Sequence, residues 1–394
     1  MLTTIPLLSE TLALVIPQGM FWTKRWHLIS GCTPVSEGCT NCWMRREAKL
    51  RAGNPHESIR RLHEGLLTET GQWNSTVRFN EHLLDLPLRS RKPQVFAIWS
   101  DLFHESVSDS DIDKTMAVIL ACAVLYNRPH QFIAPTKRAD RQQRYFSSRT
   151  SAEHLQAWAK AGNDFIFVDD GHVTFEEYVM GHCHGPSDKT GRILEDHGEW
   201  RYTSHLFPLP NLIGCVTTES QAAADSRIPL FLSTPFRRRI LLAEPLLGPV
   251  EIRHGAHGFT LPHEDMPAGP HGRIHGVMAG GESGPSARPS HPDWFRSLRD
   301  QCEEAGATFF FKGWGEWAAW DGCSPDAKDN SEQTKFLTME WEDDKWNDVG
   351  YPLWCDSVDG NICPENCTSK VGKKRSGRQL DGKEHNKLPE GNHE

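Results

Sequence analysis

Three cysteines crowd one short stretch of the chain, Cys32, Cys39 and Cys42 in GCTPVSEGCTNC from Gly31 to Cys42. Thiolates are soft metal ligands, and Gly31, Pro34 and Gly38 can bend the loop so that the three sulfurs converge on one centre. A structural zinc wants four protein ligands. No fourth Cys or His lies close by in sequence, so only a long-range partner could complete such a site. An iron–sulfur cubane held by three cysteines leaves one iron open to a substrate or cofactor, which matches the ligand count. The eleven cysteines are odd in number and unevenly spaced, which points to metal ligation and free thiols before disulfides.

Other chemically able groups follow short apolar runs. The runs fall at 26–29, 76–79, 95–99, 131–134, 212–216, 239–243, 274–278 and 308–311. Most are nearly continuous, as in parallel strands covered on both faces. After them come Gly31-Cys32, Asn80, Ser100-Asp101 with His104-Glu105, Thr136-Lys137-Arg138, Thr217-Thr218-Glu219, Glu244-Pro245, Gly280-Gly281-Glu282-Ser283-Gly284 and Lys312-Gly313-Trp314. Helices are expected between them at 42–52, 112–125, 221–228 and 292–305. The second carries Ile112, Met116, Ile119 and Ala123 on one face. Strand–helix repetition of this kind predicts the α/β class and a (β/α) barrel, full or partial, with its site at the carboxyl ends of the strands.

On that rim each residue has a functional and a structural reading. Ser100 and Asp101 suit the polar groups of a cofactor, with Asn80 one strand earlier, or they cap the next helix. Lys137, Arg138 and Lys312 can neutralise a carboxylate or phosphate, while His104, Glu244 and Glu282 can relay protons; the alternative is a set of ion pairs at the barrel end. Gly280, Gly281 and Glu282 form a loop whose amides could approach an anion.

The organisation expected is a first barrel part at 21–146, an insertion or lid at 147–210, a second barrel part at 211–320, and a polar extension at 321–394. The extension turns basic from Lys370 to Arg378 and ends, from Gly382 to Glu394, in what reads as a disordered tail. Cys355, Cys363 and Cys367, with Cys323 upstream, could bind zinc or an auxiliary cluster but match no known spacing and read first as free thiols; His182-Cys183-His184 poses the same choice, with exposed surface the default. Apolar side chains make up 38% and charged ones 24%, enough to bury a core. Lys and Arg number 43 against 52 Asp and Glu, a net charge of −9 that argues against a protein coating nucleic acid over its whole surface. No apolar run is long enough to span a membrane, and 2–20 lacks the pattern of a signal peptide, so a cytoplasmic location is expected. Oligomeric state leaves no trace in the sequence.

A three-cysteine loop after the first strand of such a barrel resembles the radical S-adenosylmethionine superfamily. The chain is closer still to a phage- and prophage-associated three-Cys-motif branch of unknown function, distantly similar to spore photoproduct lyases. The matching stretches are Gly31-Cys32-Thr33 with Gly38-Cys39-Thr40-Asn41-Cys42, then 84–89, 100–105, 136–138, 244–249, 280–285 and 310–315. One departure is the gap of six residues between Cys32 and Cys39, where the superfamily's commonest loop has three. The usual Gly-Gly-Glu after the second strand has its letters only late here, at Gly280-Gly281-Glu282, so its role is not carried over. The resemblance implies a 4Fe–4S cluster on Cys32, Cys39 and Cys42, with S-adenosylmethionine on the open iron. It further implies an external electron donor, a 5′-deoxyadenosyl radical, and a nucleic-acid base or nucleotide as candidate substrate. The competing expectation is a non-catalytic or zinc-binding partner protein in phage DNA metabolism.

Overall fold

The computed structural model describes residues 20–125, 130–168, 172–183, 206–252, 273–319, 338–350 and 367–387. In chain order the first strands are β1 Lys24–Trp26, β2 Ile29–Ser30, β3 Arg78–Phe79, β4 Val95–Ile98, β5 Gln131–Thr136, β6 Leu212–Thr217, β7 Arg238–Ala243, β8 Gly276–Gly280 and β9 Thr308–Gly313. Seven of them form one all-parallel sheet in the order β1-β4-β5-β6-β7-β8-β9, curled into a half-barrel. Each strand in this sheet joins the next one along. Right-handed crossovers then put the helices Asp109–Val124, Ser151–Gly162, Gln221–Leu232 and Pro292–Glu304 on one face.

The packing shows that division. Phe96, Ile98, Phe132, Val216, Leu241, Val277 and Phe311 share one core with helical Ile112, Met116, Trp158, Phe231 and Phe295. Their neighbours in the strands, Val95, Ile133, Ile213, Cys215, Ile240, Leu242, Met278 and Phe310, form a second, smaller core closed by Phe21 with Trp22 against it. Alternate side chains of a strand point to opposite faces, so an apolar run with no polar alternation is a strand buried on both. The second core marks the concave face.

Helices Trp43–Arg51, Asp109–Val124, Gln221–Leu232 and Pro292–Glu304 lie where expected within a few residues. Asp109–Val124 starts earlier than its apolar face because Ser108 accepts from the Asp111 amide at 3.1 Å and caps it. The run at 26–29 breaks in two. Leu28 N bonds back to Trp26 O at 2.9 Å, and Ile29–Ser30 swings out to pair antiparallel with Arg78–Phe79. The 76–79 run is therefore a short ladder beside the sheet, not a barrel strand.

The segment expected as a lid differs as well. Its helices Ser151–Gly162 and Phe175–Cys183 bury Leu155, Trp158, Phe175 and Val179 in the helix-side core, so they belong to the β5–β6 crossover on the convex face. A Thr150–Glu153 capping box fixes the start of the first. The rest of that segment, 184–205, including His184, lies outside the described residues.

Beyond β9, strands β10 Trp317–Ala319, β11 Thr338–Glu342, β12 Lys345–Gly350 and β13 Cys367–Lys370 form an antiparallel sheet in the order β10-β13-β11-β12. A hairpin follows, β14 Gln379–Leu380 with β15 Lys383–Glu384. Phe311 N then donates to His385 O at 2.9 Å, and Phe310 bridges Asn386, which covers the outer edge of β9. The stretch expected as a disordered tail is thus placed as far as Lys387, while 388–394, Cys323, Cys355 and Cys363 fall outside the described residues. Among the described residues no helix is long and apolar enough to cross a membrane.

Candidate functional site

The cysteine loop leaves β2 through Gly31, whose φ of +88° and whose position, 1.9 Å from Thr76 O for any added Cβ, admit glycine alone. A single 3-10 turn, Glu37–Cys39, then brings Cys39 N onto Ser36 O at 3.0 Å and Cys42 N onto Cys39 O at 3.3 Å. All three thiols are free and half-buried. Burial pushes Cys32 up to about 11 and raises Cys42; the charge of Cys42 adds to the rise of Cys32, and that of Cys39 to the rise of Cys42. Cys42 therefore stands within electrostatic reach of both Cys32 and Cys39. Among the described residues no three Cys, His, Asp or Glu side chains close around a single metal ion.

Three clamps from the strand ends hold this loop. The first is Arg138, 2% exposed, just past β5. Its five N–H donors are all engaged: Nε to Glu105 at 2.8 Å, one terminal nitrogen to Asp101 at 2.8 Å and Cys32 Sγ at 3.8 Å, the other to Thr33 O and Thr33 Oγ1, both at 2.9 Å. Burial alone would lower its pKa, but Asp101, Cys32 and Glu105 raise it. Asp101 itself accepts from Thr136 Oγ1 at 2.7 Å and Phe103 N at 3.1 Å.

The second clamp is Glu219, fully buried past β6. Lys137 Nζ reaches it at 3.0 Å, Arg227 at 2.7 Å, and Ser36 Oγ of the cysteine loop donates to it. Burial works against the carboxylate, yet Lys137 and Arg227 hold it down at about 2. Gly38 lies against the same side chain, 2.9 Å from it for an added Cβ. The third clamp is Glu282 past β8, which accepts a bidentate pair from Arg288 at 2.7 and 3.0 Å and the Asn41 amide at 2.9 Å; Arg288 also reaches Glu37 O at 3.0 Å. Glu282 sits below the usual carboxylate range because Arg288 and Asn41 outweigh its burial.

The other expected residues occupy separate places on the rim. His104 pairs Nε2 with Thr33 Oγ1 at 2.9 Å while its Nδ1 accepts from Ser106 N at 3.1 Å, so the ring is the neutral Nε2–H tautomer, its pKa lowered by burial. Lys312 pairs with Glu244, each a quarter exposed. Ser100 Oγ meets the Met44 sulfur at 3.7 Å. Asn80 spends its amide hydrogens on His27 O and Ser30 Oγ, at 2.8 and 2.9 Å, tying the β2 turn. Gly281 packs backbone to backbone: an added Cβ would lie 1.9 Å from Trp314 O, whereas at Gly280 the nearest atom is 3.4 Å away. Gly281→Ala is expected to cost about 3 kcal/mol by overpacking and Gly280→Ala about 0.5 kcal/mol or less. Denaturant unfolding of the two variants checks this, and equal stabilities would remove the packing argument.

Sequence reasoning did not single out Ser36, Arg227 and Arg288 at all, and gave Glu219 no role. Nor did it place an aromatic wall beside Cys42. Trp43, 43% exposed, meets Trp99 edge-on at 4.5 Å; Trp99 also carries the Arg25 guanidinium at 4.5 Å and faces Trp22 at 6.1 Å. Lys312 lies over Trp22 at 5.6 Å. The tryptophan excess, fourteen against five tyrosines, was the available signal.

Compared with known proteins, the chain matches one family model over residues 19–389, described as "Protein of unknown function (DUF5131)". No curated protein and no solved structure matches it.

Proposed function

Since the chain belongs to the DUF5131 family, whose description assigns no chemistry, we propose from the site itself that it is an iron–sulfur enzyme of the radical S-adenosylmethionine type. Cys32, Cys39 and Cys42 would hold the 4Fe–4S cluster. The observation that carries this reading is three half-buried thiols on one loop, clamped from three strands at the carboxyl edge of an open parallel half-barrel. A cubane takes one cysteine on each of three irons and leaves the fourth iron open, which matches three thiols on one loop. Zinc would want a tighter set of four. When bound, the cluster and S-adenosylmethionine supply a one-electron cleavage that yields a 5′-deoxyadenosyl radical for hydrogen abstraction.

The chain's own residues then have definite tasks. Arg138 donates toward Cys32 Sγ and fixes Thr33 in the same contact, holding one sulfur in place. Neutral His104 seconds it through Thr33. Glu219 and Glu282 anchor the loop at Ser36 and Asn41, on either side of Cys39, from the ends of β6 and β8. Lys137 and Lys312 remain partly exposed cations on the rim, suited to a carboxylate of cofactor or substrate.

Oxygen-free reconstitution with iron and sulfide, reduction, and incubation with S-adenosylmethionine tests the proposal. The expected result is about four irons per chain and 5′-deoxyadenosine, with Cys39→Ala lowering both to background. A colourless protein holding one zinc, or 5′-deoxyadenosine that persists in Cys39→Ala, overturns it.

A further inference from the structure

We infer that the rim beside Cys42 is a binding surface for single-stranded nucleic acid, with phosphates on a basic turn of the C-terminal extension and a base stacked on Trp43. The surface is assembled from two distant parts of the chain. On the Trp43–Arg51 helix, Trp43 and Arg46 are three residues apart and share a face. Arg46 reaches the Gly284 turn, its guanidinium 4.0 Å from where a Cβ of Gly284 would sit.

The basic segment docks on that same turn. Lys370 Nζ donates to Pro285 O, and the Glu316 carboxylate takes Gly284 N at 3.0 Å on one oxygen and Lys373 N at 3.2 Å on the other. The short helical turn Lys373–Ser376, with Lys373, Lys374 and Arg375 exposed, is thereby tied through Glu316 to the same Gly284 turn that Arg46 reaches. Four exposed cations, Arg46, Lys373, Lys374 and Arg375, thus flank the Gly284–Glu316 junction of a chain whose net charge is −9.

Charge alone would suit any polyanion. Trp43 decides between them. It stands 43% exposed at the edge of the cationic turn and runs through Trp99 toward the concave face, and stacking aromatics interleaved with cations are how single strands are held without sequence preference. A folded acidic protein or a duplex has no unstacked base to offer such a ring. The inference deepens the radical-enzyme reading by naming a substrate class, but binding itself needs neither cluster nor S-adenosylmethionine.

The test is fluorescence anisotropy of the full-length protein, without iron, against a labelled single-stranded oligonucleotide of about a dozen nucleotides. Affinity is expected to fall linearly on a log–log salt plot. Lys373→Glu with Lys374→Glu should weaken binding about tenfold or more and flatten the slope by about one unit per lost phosphate contact. Trp43→Ala should weaken binding about tenfold while leaving the slope unchanged. Binding that is absent, equal for a duplex, competed as well by polyglutamate, or indifferent to both variants overturns the inference. Binding that behaves as expected in a protein that yields no 5′-deoxyadenosine keeps this surface and rejects the radical chemistry alone.

Discussion

Arg138→Met is expected to be the most damaging substitution outside the cysteines. It leaves the Asp101 carboxylate, 7% exposed, without its cation, and removing one partner of a buried pair costs about 3–5 kcal/mol. The same change drops both contacts to Thr33 and the one to Cys32, so the first arm of the cysteine loop loses its anchor. Arg138→Lys should recover only part of the loss, because an ammonium offers three donors where five are in use. Urea unfolding reads the stability, and iron content after reconstitution reads the loop. A methionine variant that unfolds at the parent's midpoint and loads iron normally would remove Arg138 from its assigned place.

Glu219→Gln ranks second, with a cost again of about 3–5 kcal/mol, since Lys137 and Arg227 would face a neutral amide inside the protein. Here the pH dependence supplies a separate check. The folded carboxyl, at about 2, lies below its ordinary 4.5, so its stabilising contribution is complete above about 4.5 and drains away as pH falls toward 2. The stability gap between parent and Glu219→Gln should therefore be constant near neutrality and shrink across that acid window. Unfolding midpoints measured from pH 7 downward show it. A gap that does not change with pH would mean that the carboxylate's charge is not what matters.

The sheet was legible because its strands are apolar on both faces: Val95-Phe96-Ala97-Ile98 and Leu212–Thr217 admit no half-exposed reading. The 76–79 run misled because a short apolar stretch carries no record of its partner, and Ile29–Ser30 captured it. Within the segment expected as an insertion or lid, polar stretches hid Trp158 and Phe175, which bury on the convex side. At the site, the cysteines and the residues after each strand could be named in advance. The clamps could not, since Ser36 meets Glu219 across 183 residues and Asn41 meets Glu282 across 241. No periodicity connects positions so far apart; only the closing of successive strands onto one rim does.

The way β9 is finished has a practical consequence. Its outer edge is sealed by His385 and Asn386, some seventy positions later in the chain. During synthesis the half-barrel must wait, with one flank bare, until that strap emerges. A version shortened before His385 would keep every cysteine and every clamp, yet leave unpaired amides and carbonyls of β9 on which a second molecule could add strand to strand. Aggregation of such a version would report on the missing strap and say nothing against the chemistry at the carboxyl ends of the strands.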